Sequence, residues 1–314
     1  MRTGVVLMTY GSPRDLEDVA AYLTRVRGGR VPDGELTAEF RRRYEAIGMS
    51  PLIDISKRQA SALAAALGSD YAVAAGMRFS EPSVVDAVSA LRSAGAERLV
   101  GLILSPQYSA TLMGDYGSTL TQAAGDLPVR TVGAWHLNPA FLDVLASRIR
   151  AALTRFSDDM RDRVPVLLTA HSLPRRVVDR EPHYIDQLKD TARAVAEAAD
   201  LAPERWSFVY QSAGHTPEEW LKPDLLDVLP ELAAAGHHDV IVAPVQFLAD
   251  HLETLYDVDI AGRDQAVSAG FRSFVRVDAP NADPDFIDAL RDVVLGEVVV
   301  WDAAITKGTT WARV

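Results

Sequence analysis

The chain contains no cysteine. That excludes disulfides, thiolate nucleophiles, zinc–thiolate centres and iron–sulfur clusters held by cysteine. No apolar run approaches the ~18 residues of a membrane span, and no basic leader precedes the first apolar segment. The expectation is a cytoplasmic protein without a membrane span. Positive charge is in short supply, with 32 Lys and Arg against 43 Asp and Glu and a net charge of −11. Nucleic acid, whose binding needs a basic footprint, is therefore not an expected partner. Neither G-x-G-x-x-G after the first apolar run nor G-x-x-x-x-G-K-[ST] occurs, which sets aside dinucleotide and NTP binding in their common forms.

What is present is a soluble composition, 48% apolar and 24% charged, over 314 residues, long enough for two domains. Apolar, β-branched runs predict eight strands: 5–9, 71–76, 98–104, 129–134, 164–169, 206–210, 239–244 and 273–277. Amphipathic stretches such as Ser56 to Leu67 and Tyr184 to Ala199 lie between them. Strands alternating with helices imply right-handed crossovers and parallel sheets. The fold expected is α/β, as two similar Rossmann-like halves, each a four-stranded parallel sheet flanked by helices, with a cleft between them. The first half takes residues 1–155, including an insert at about 11–50, the second takes 156–300, and 301–314 forms a tail with no assigned packing. Val6-Leu7-Met8-Thr9-Tyr10-Gly11-Ser12-Pro13 parallels Leu167-Leu168-Thr169-Ala170-His171-Ser172-Leu173-Pro174. Each is a buried strand, one functional side chain and a proline-closed turn, and strand ends are where α/β sheets bind ligands.

His171 can bind a metal or accept a proton near neutral pH, or can simply be a bonded turn histidine. Asp250 with Glu253 three residues later resembles a capping box. Yet His251, Glu253, Asp257 and Asp259 together exceed what a cap needs, and carboxylate beside imidazole suits Fe²⁺. His136 and His215 follow strands and are weaker candidates; His183, His237 and His238 read as structural or surface residues. Arg25, Arg27, Arg30, Arg41, Arg42 and Arg43 form a basic patch near Tyr10. It suits a small anionic ligand or, alternatively, pairs with Glu35, Glu39 and Glu45 as a solvated lid.

In these segments the chain resembles the ferrochelatases from about Val5 to Val294. Thr169-Ala170-His171-Ser172-Leu173-Pro174 is similar to the family's active-site histidine turn, and Asp250-His251-Leu252-Glu253-Thr254-Leu255-Tyr256-Asp257 to its acidic segment. Gly48-Met49-Ser50-Pro51-Leu52, Pro106-Gln107-Tyr108-Ser109 and Gln211-Ser212 leading to Trp220-Leu221 also match in order. Met8 to Pro13 and Arg43 to Gly48 most resemble the soluble, monomeric enzymes of Gram-positive bacteria that act on coproporphyrin III. The resemblance implies a class II chelatase-like fold and a lyase of heme biosynthesis that inserts Fe²⁺ into the porphyrin. His171 and Glu253 would be both catalytic and metal-binding, and Tyr10, Arg27, Arg43, Tyr44, Ser50 and Tyr116 would meet the porphyrin. Fe²⁺ and porphyrin are then substrates, with no permanently bound cofactor, and a downstream heme-pathway enzyme is a potential partner. Ala261 stands where relatives often carry a glutamate, and Gly28 where close relatives carry a second arginine. Rival expectations are a protoporphyrin IX ferrochelatase and a non-catalytic porphyrin- or heme-binding protein. A third is a cobalt or nickel chelatase, a class that tends to place two histidines at the metal, against which the single histidine with glutamate argues.

Overall fold

The computed structural model describes residues 1–214 and 217–306; His215 lies outside them. The first sheet contains β1 (Thr3–Thr9), β2 (Tyr71–Met77), β3 (Arg98–Ile103) and β4 (Val129–Thr131), in the order β2-β1-β3-β4. The second contains β5 (Val166–His171), β6 (Trp206–Gln211), β7 (Asp239–Pro244) and β8 (Ser273–Arg276), in the order β6-β5-β7-β8. All pairings are parallel, with Val5 opposite Val73 and Val100 in one sheet and Leu168 opposite Phe208 and Ala243 in the other. The two halves thus have the same topology, and β1 and β5 occupy equivalent places. Tyr10 follows β1 directly and His171 ends β5.

Helices of the first half are α1 (Val19–Val26), α2 (Gly34–Ala46), α3 (Leu52–Leu67), α4 (Val84–Ser93), α5 (Ala110–Ala124) and α6 (Pro139–Leu153). The rest are α7 (Asp158–Arg161), α8 (Arg175–Val178), α9 (Pro182–Ala198), α10 (Leu225–Ala234), α11 (Arg263–Ser268) and α12 (Pro284–Thr306). Their starts follow local chemistry. Ser83 and Asp86 form a reciprocal capping box on α4, and Asn138 caps α6 just before a proline. The 11–50 insert is helical, as its texture suggested. Val19, Tyr22, Leu23 and Tyr44 of α1 and α2 pack with Leu252 of the second half, so the insert bridges the cleft rather than only flanking Tyr10.

A single apolar cluster runs through both halves, from Val5 and Leu7 to Val166 and Leu168, by way of Phe141 on α6 and Phe286 on α12. α12 leaves the second half and lies against α3 and α6 of the first. The 301–314 stretch, expected to be a tail, therefore begins inside a helix. Trp301 is buried beneath the Arg98 and Arg130 guanidinium groups, and Arg98 pairs with Asp302. Residues 307–314 lie outside those described. Among the described residues no helix is long and apolar enough to cross a membrane.

Phe286 is fully buried beside Phe141, at 6.5 Å between ring centroids. Phe286→Ala should cost about 3–5 kcal/mol of unfolding free energy. Val299→Ala, on an exposed face of the same helix, should change stability by less than ~0.5 kcal/mol. Urea titrations of both variants check this.

Candidate active site

In each sheet the chain moves outward from the first strand to one neighbour and then returns to its other side, so a crevice opens at the carboxyl ends of β1 and β3 and of β5 and β7. These two crevices face one cleft of about 640 Å³, within the range of small-molecule sites. Tyr10, Gly11 and Ser12 follow β1; Leu104 and Ser105 follow β3; His171 and Leu173 come from the end of β5; Gln246 to Ala249 follow β7. A charged depression of similar size lies on the other side of Ser12 and Ser50, lined by Arg14, Asp54, Lys57 and Glu81, and it contains no imidazole.

The turn after β1 aims Tyr10. Gly11 has φ +94°, and a Cβ there would lie 2.6 Å from Ser80 Oγ, so only glycine fits. Tyr22 Oη donates to Gly11 O at 3.0 Å, and Ser80 Oγ donates to Ser12 O at 2.6 Å. The Tyr10 ring meets Phe79 edge-on at 4.7 Å and faces the cavity. Burial against these walls, reinforced by the negative charge of Glu253 and opposed by Arg78, pushes the Tyr10 phenol up to about 12. It is a neutral hydroxyl at physiological pH.

His171 is held from both sides. Its backbone N–H donates to Gln246 Oε1 at 2.7 Å, and Gln246 Nε2 in turn donates to Tyr184 Oη at 2.8 Å. The ring engages the Ser172 carbonyl through Nδ1, which turns Nε2 toward Glu253 Oε1 at 3.6 Å. Glu253 opens a π-helix, Glu253–Gly262, a wide-turned form that occurs mostly at functional sites. Its carbonyl accepts from Gln211 Nε2 at 3.2 Å, while Gln211 Oε1 takes the Thr169 hydroxyl at 2.6 Å.

Two expectations are corrected here. Asp250 and Glu253 do not form a capping box: no side chain caps the π-helix, and Asp250 is engaged by Arg276 and Asn281 instead. The Glu253 carboxylate faces imidazoles, not backbone amides. The site also does not hold a single histidine. His251 Nε2 lies 3.6 Å from Glu253 Oε2, with Nδ1 donating to Ala249 O at 3.0 Å. Glu253 is thus flanked by two rings, and 33% of its side-chain surface stays open to the cleft. Burial alone would raise its pKa, but the two imidazoles outweigh burial and hold it at about 2. For His251 burial opposes the charge, yet the bond and charge of Glu253 prevail and raise it above its ordinary value.

Of the residues singled out in the sequence, Tyr10, Tyr44, Ser50, Tyr116, His171 and Glu253 line this one cleft. Arg27 and Arg43 stand outside its lining. Arg43 is paired with Glu39 at 2.8 Å and with Asp257 at 3.5 Å, and stacks on Phe40 and Tyr256. Of the acidic partners considered for the lid, Glu39 is the one that also takes Arg42. Arg27 follows α1 with its Nη1 buried and unbonded. Sequence reasoning missed Arg78, a cation in the lining, which stacks on Phe79 and Tyr116 and pairs with Asp115. Its signal was its place just past a strand end. His136, His183, His237 and His238 do not line the cleft.

The ferrochelatase family model matches residues 2–298. A ferrochelatase from Herpetosiphon aurantiacus is 39% identical over 305 residues, covering 94% of this chain and 99% of its own length. A coproporphyrin III ferrochelatase from Geobacillus kaustophilus is 36% identical over 302 residues, with 93% and 95% covered. Among solved structures the fold is similar to CbiX, the terminal enzyme of siroheme biosynthesis in denitrifying bacteria, at TM-score 0.56 and 14% identity, covering 94% of this chain and 99% of that one. SirB from Bacillus subtilis with Fe³⁺ gives TM-score 0.55 and 12% identity over 94% and 95%. At such identities these two show the fold alone.

The Glu253–His251 pair has a defined pH window. A lowered carboxylate contributes stability that is full above 4.5 and lost as pH falls toward about 2. A raised imidazole contributes stability that is full below 6.5 and lost as pH rises through its folded value. The pair therefore contributes most between those limits. Glu253→Gln removes the bond and charge of the carboxylate and leaves burial opposed only by the Ala249 carbonyl and the Asp257 charge, so His251 should titrate lower than in the unmodified protein. NMR titration of the imidazole in metal-free protein checks the fall.

Proposed function

The chain belongs to the ferrochelatase family, and on that premise we propose that its cleft inserts Fe²⁺ into coproporphyrin III to give coproheme. As a ferrochelatase it is a lyase whose substrates are a porphyrin and Fe²⁺. The observation that carries the site assignment is His171 and Glu253 set 3.6 Å apart at one end of a cleft that also holds Tyr10. Each turnover exchanges two pyrrole protons for one ferrous ion. A flat macrocycle must bend to turn its nitrogen lone pairs toward the metal, and binding energy along the walls can supply that strain. Phe79, Tyr10, Tyr116 and Met113 form such walls. A carboxylate held ionised down to about pH 2 is a cation ligand rather than a proton store, which gives Glu253 the incoming iron. His171 Nε2 beside it shares the ion or takes the pyrrole proton.

The preference for coproporphyrin III has two supports. Relatives 34–36% identical bear that name, and arginines stand in or near the cleft. Arg78 lies in the lining, while Arg27 has a buried guanidinium nitrogen without a hydrogen-bond partner, a donor that a substrate carboxylate would satisfy. Arg43 sits beside Tyr44, 16% exposed, where a carboxylate would compete with Glu39 and Asp257. Ser50 and Tyr44 add hydroxyls to the lining. Coproporphyrin III has four propionates and protoporphyrin IX two. Partly desolvated arginine–carboxylate bonds contribute about 1.5–3 kcal/mol each, so two further anchors would separate the substrates by tens-fold or more. The monomeric, cytosolic state of the enzyme belongs to the same reading.

Anaerobic incubation with Fe²⁺ and either porphyrin, followed by product absorbance, should show faster turnover of coproporphyrin III; equal turnover at matched solubility sinks the substrate assignment. Neutralising Arg27 and Arg43 together should reduce coproporphyrin turnover more than protoporphyrin turnover. His171→Ala should nearly abolish insertion while porphyrin affinity, read by fluorescence quenching, stays within about tenfold, or ~1.4 kcal/mol. Glu253→Gln should raise the KM for metal more than the KM for porphyrin. Full turnover in either variant removes that residue from the mechanism.

A further inference from the structure

Residues 245 to 251, between β7 and the π-helix, have no regular secondary structure, yet they deliver His251 and Glu253 to the cleft. Something else must fix them. Arg276, the last residue of β8, is buried beneath this segment with 9% of its side chain exposed. Its Nη1 forms an ion pair with Asp250 Oδ1 at 3.0 Å, without hydrogen-bond alignment, and its Nε donates to Asp259 Oδ1 at 2.9 Å. Asp250 comes just before the metal-site residues and Asp259 lies inside the π-helix. One guanidinium therefore spans the segment that carries His251 and Glu253.

Asn281 holds the same loop from beside Arg276. It adopts φ +51°, a left-handed conformation that asparagine tolerates better than most residues. Its Oδ1 accepts from Asp250 N and its Nδ2 donates to Asp250 Oδ2, both at 2.9 Å. Its backbone N–H donates to Leu248 O at 3.0 Å, and its carbonyl accepts from Gln59 Nε2 of α3 at 2.6 Å. The loop is thereby registered against the first half, where Gln59 itself lines the cleft.

We propose that Arg276 is a positioning residue for metal insertion: by tying Asp250 to Asp259 it sets the place of His251 and Glu253 against His171. The inference rests on the reading of Glu253 as the iron-binding carboxylate. The alternative role, neutralising two half-buried carboxylates, needs only a positive charge. The bridge needs an Nε–H directed at Asp259 while a second nitrogen of the same rigid plane, Nη1, reaches Asp250; an ammonium has one nitrogen and cannot hold both places at once. Arg276→Lys therefore separates the two roles.

The test compares wild type, Arg276→Lys and Asp259→Asn, with Zn²⁺ as a redox-stable metal and coproporphyrin III as acceptor. Arg276→Lys should unfold cooperatively yet lose about tenfold or more in kcat/KM for zinc, with the porphyrin KM within about twofold. In a Glu253→Gln background the same change should cost less than about twofold, because residues acting as one unit are non-additive. Zinc kcat/KM within twofold of wild type, parallel changes in both KM values, or an undiminished loss in the Glu253→Gln background would overturn the proposal. Should Arg276→Lys fail to fold, Asp259→Asn, which removes one arm of the bridge, must still lower zinc kcat/KM by more than twofold for the proposal to stand. The His251 ring resonances in metal-free protein give a readout that does not depend on turnover. They should move in Arg276→Lys, and unchanged resonances count against the brace even if the chain proves inactive toward porphyrin.

Discussion

A carboxylate enclosed between two imidazoles is the interaction on which this site depends. Removing Glu253 from water is unfavourable on its own, and only nearby positive charge keeps it ionised. His171 and His251 stand on either side of it, brought from different parts of the second half, one from the end of a strand and one from an irregular loop. Because the attraction weakens as the groups separate, both carriers must be held in place. Gln246 and the Ser172 carbonyl hold the first. Ala249, Arg276 and Asn281 hold the second.

That demand spreads outward. The second half supplies the charged end of the cleft, but the opposite wall, with Tyr10, Tyr116 and Arg78, belongs to the first half. The contacts that lock the halves together include Leu252 among the tyrosines of the insert, Gln59 on the Asn281 carbonyl, and α12 laid across α3 and α6. The buried core is continuous through Phe141 and Phe286, so the width of the cleft is set by packing rather than left to a hinge. A macrocycle entering such a site meets walls already in place, which is what bending it requires.

The charge distribution follows the same logic. An acidic chain supplies its arginines with internal acids. Arg25 has Asp18, Arg43 has Glu39 and Asp257, and Arg78 has Asp115. The exposed pairs contribute little to stability, whereas Arg43 and Asp257, only 16% and 18% exposed, are screened less by solvent and salt.

The amino-acid order alone specified the eight strands, their grouping into two like sheets and the equivalence of Tyr10 and His171, because a parallel strand buried on both faces must be written as a short apolar run and must end in a turn. It also determined which residues could do chemistry at those ends. Tertiary structure alone decided the rest. The π-helix has no distinctive residue pattern, since its extra backbone residue per turn is fixed by what packs around it. His251 could not be told from a helix-start histidine until Ala249 and Glu253 were seen on either side of its ring. Asp250 looked like a cap because spacing cannot show that Arg276, 26 positions further along the chain, faces it. Whether an arginine reaches the cavity lining, as Arg78 does, or stays outside it, as Arg43 does, depends on distances between elements far apart in the chain, and those distances are a property of the packed whole.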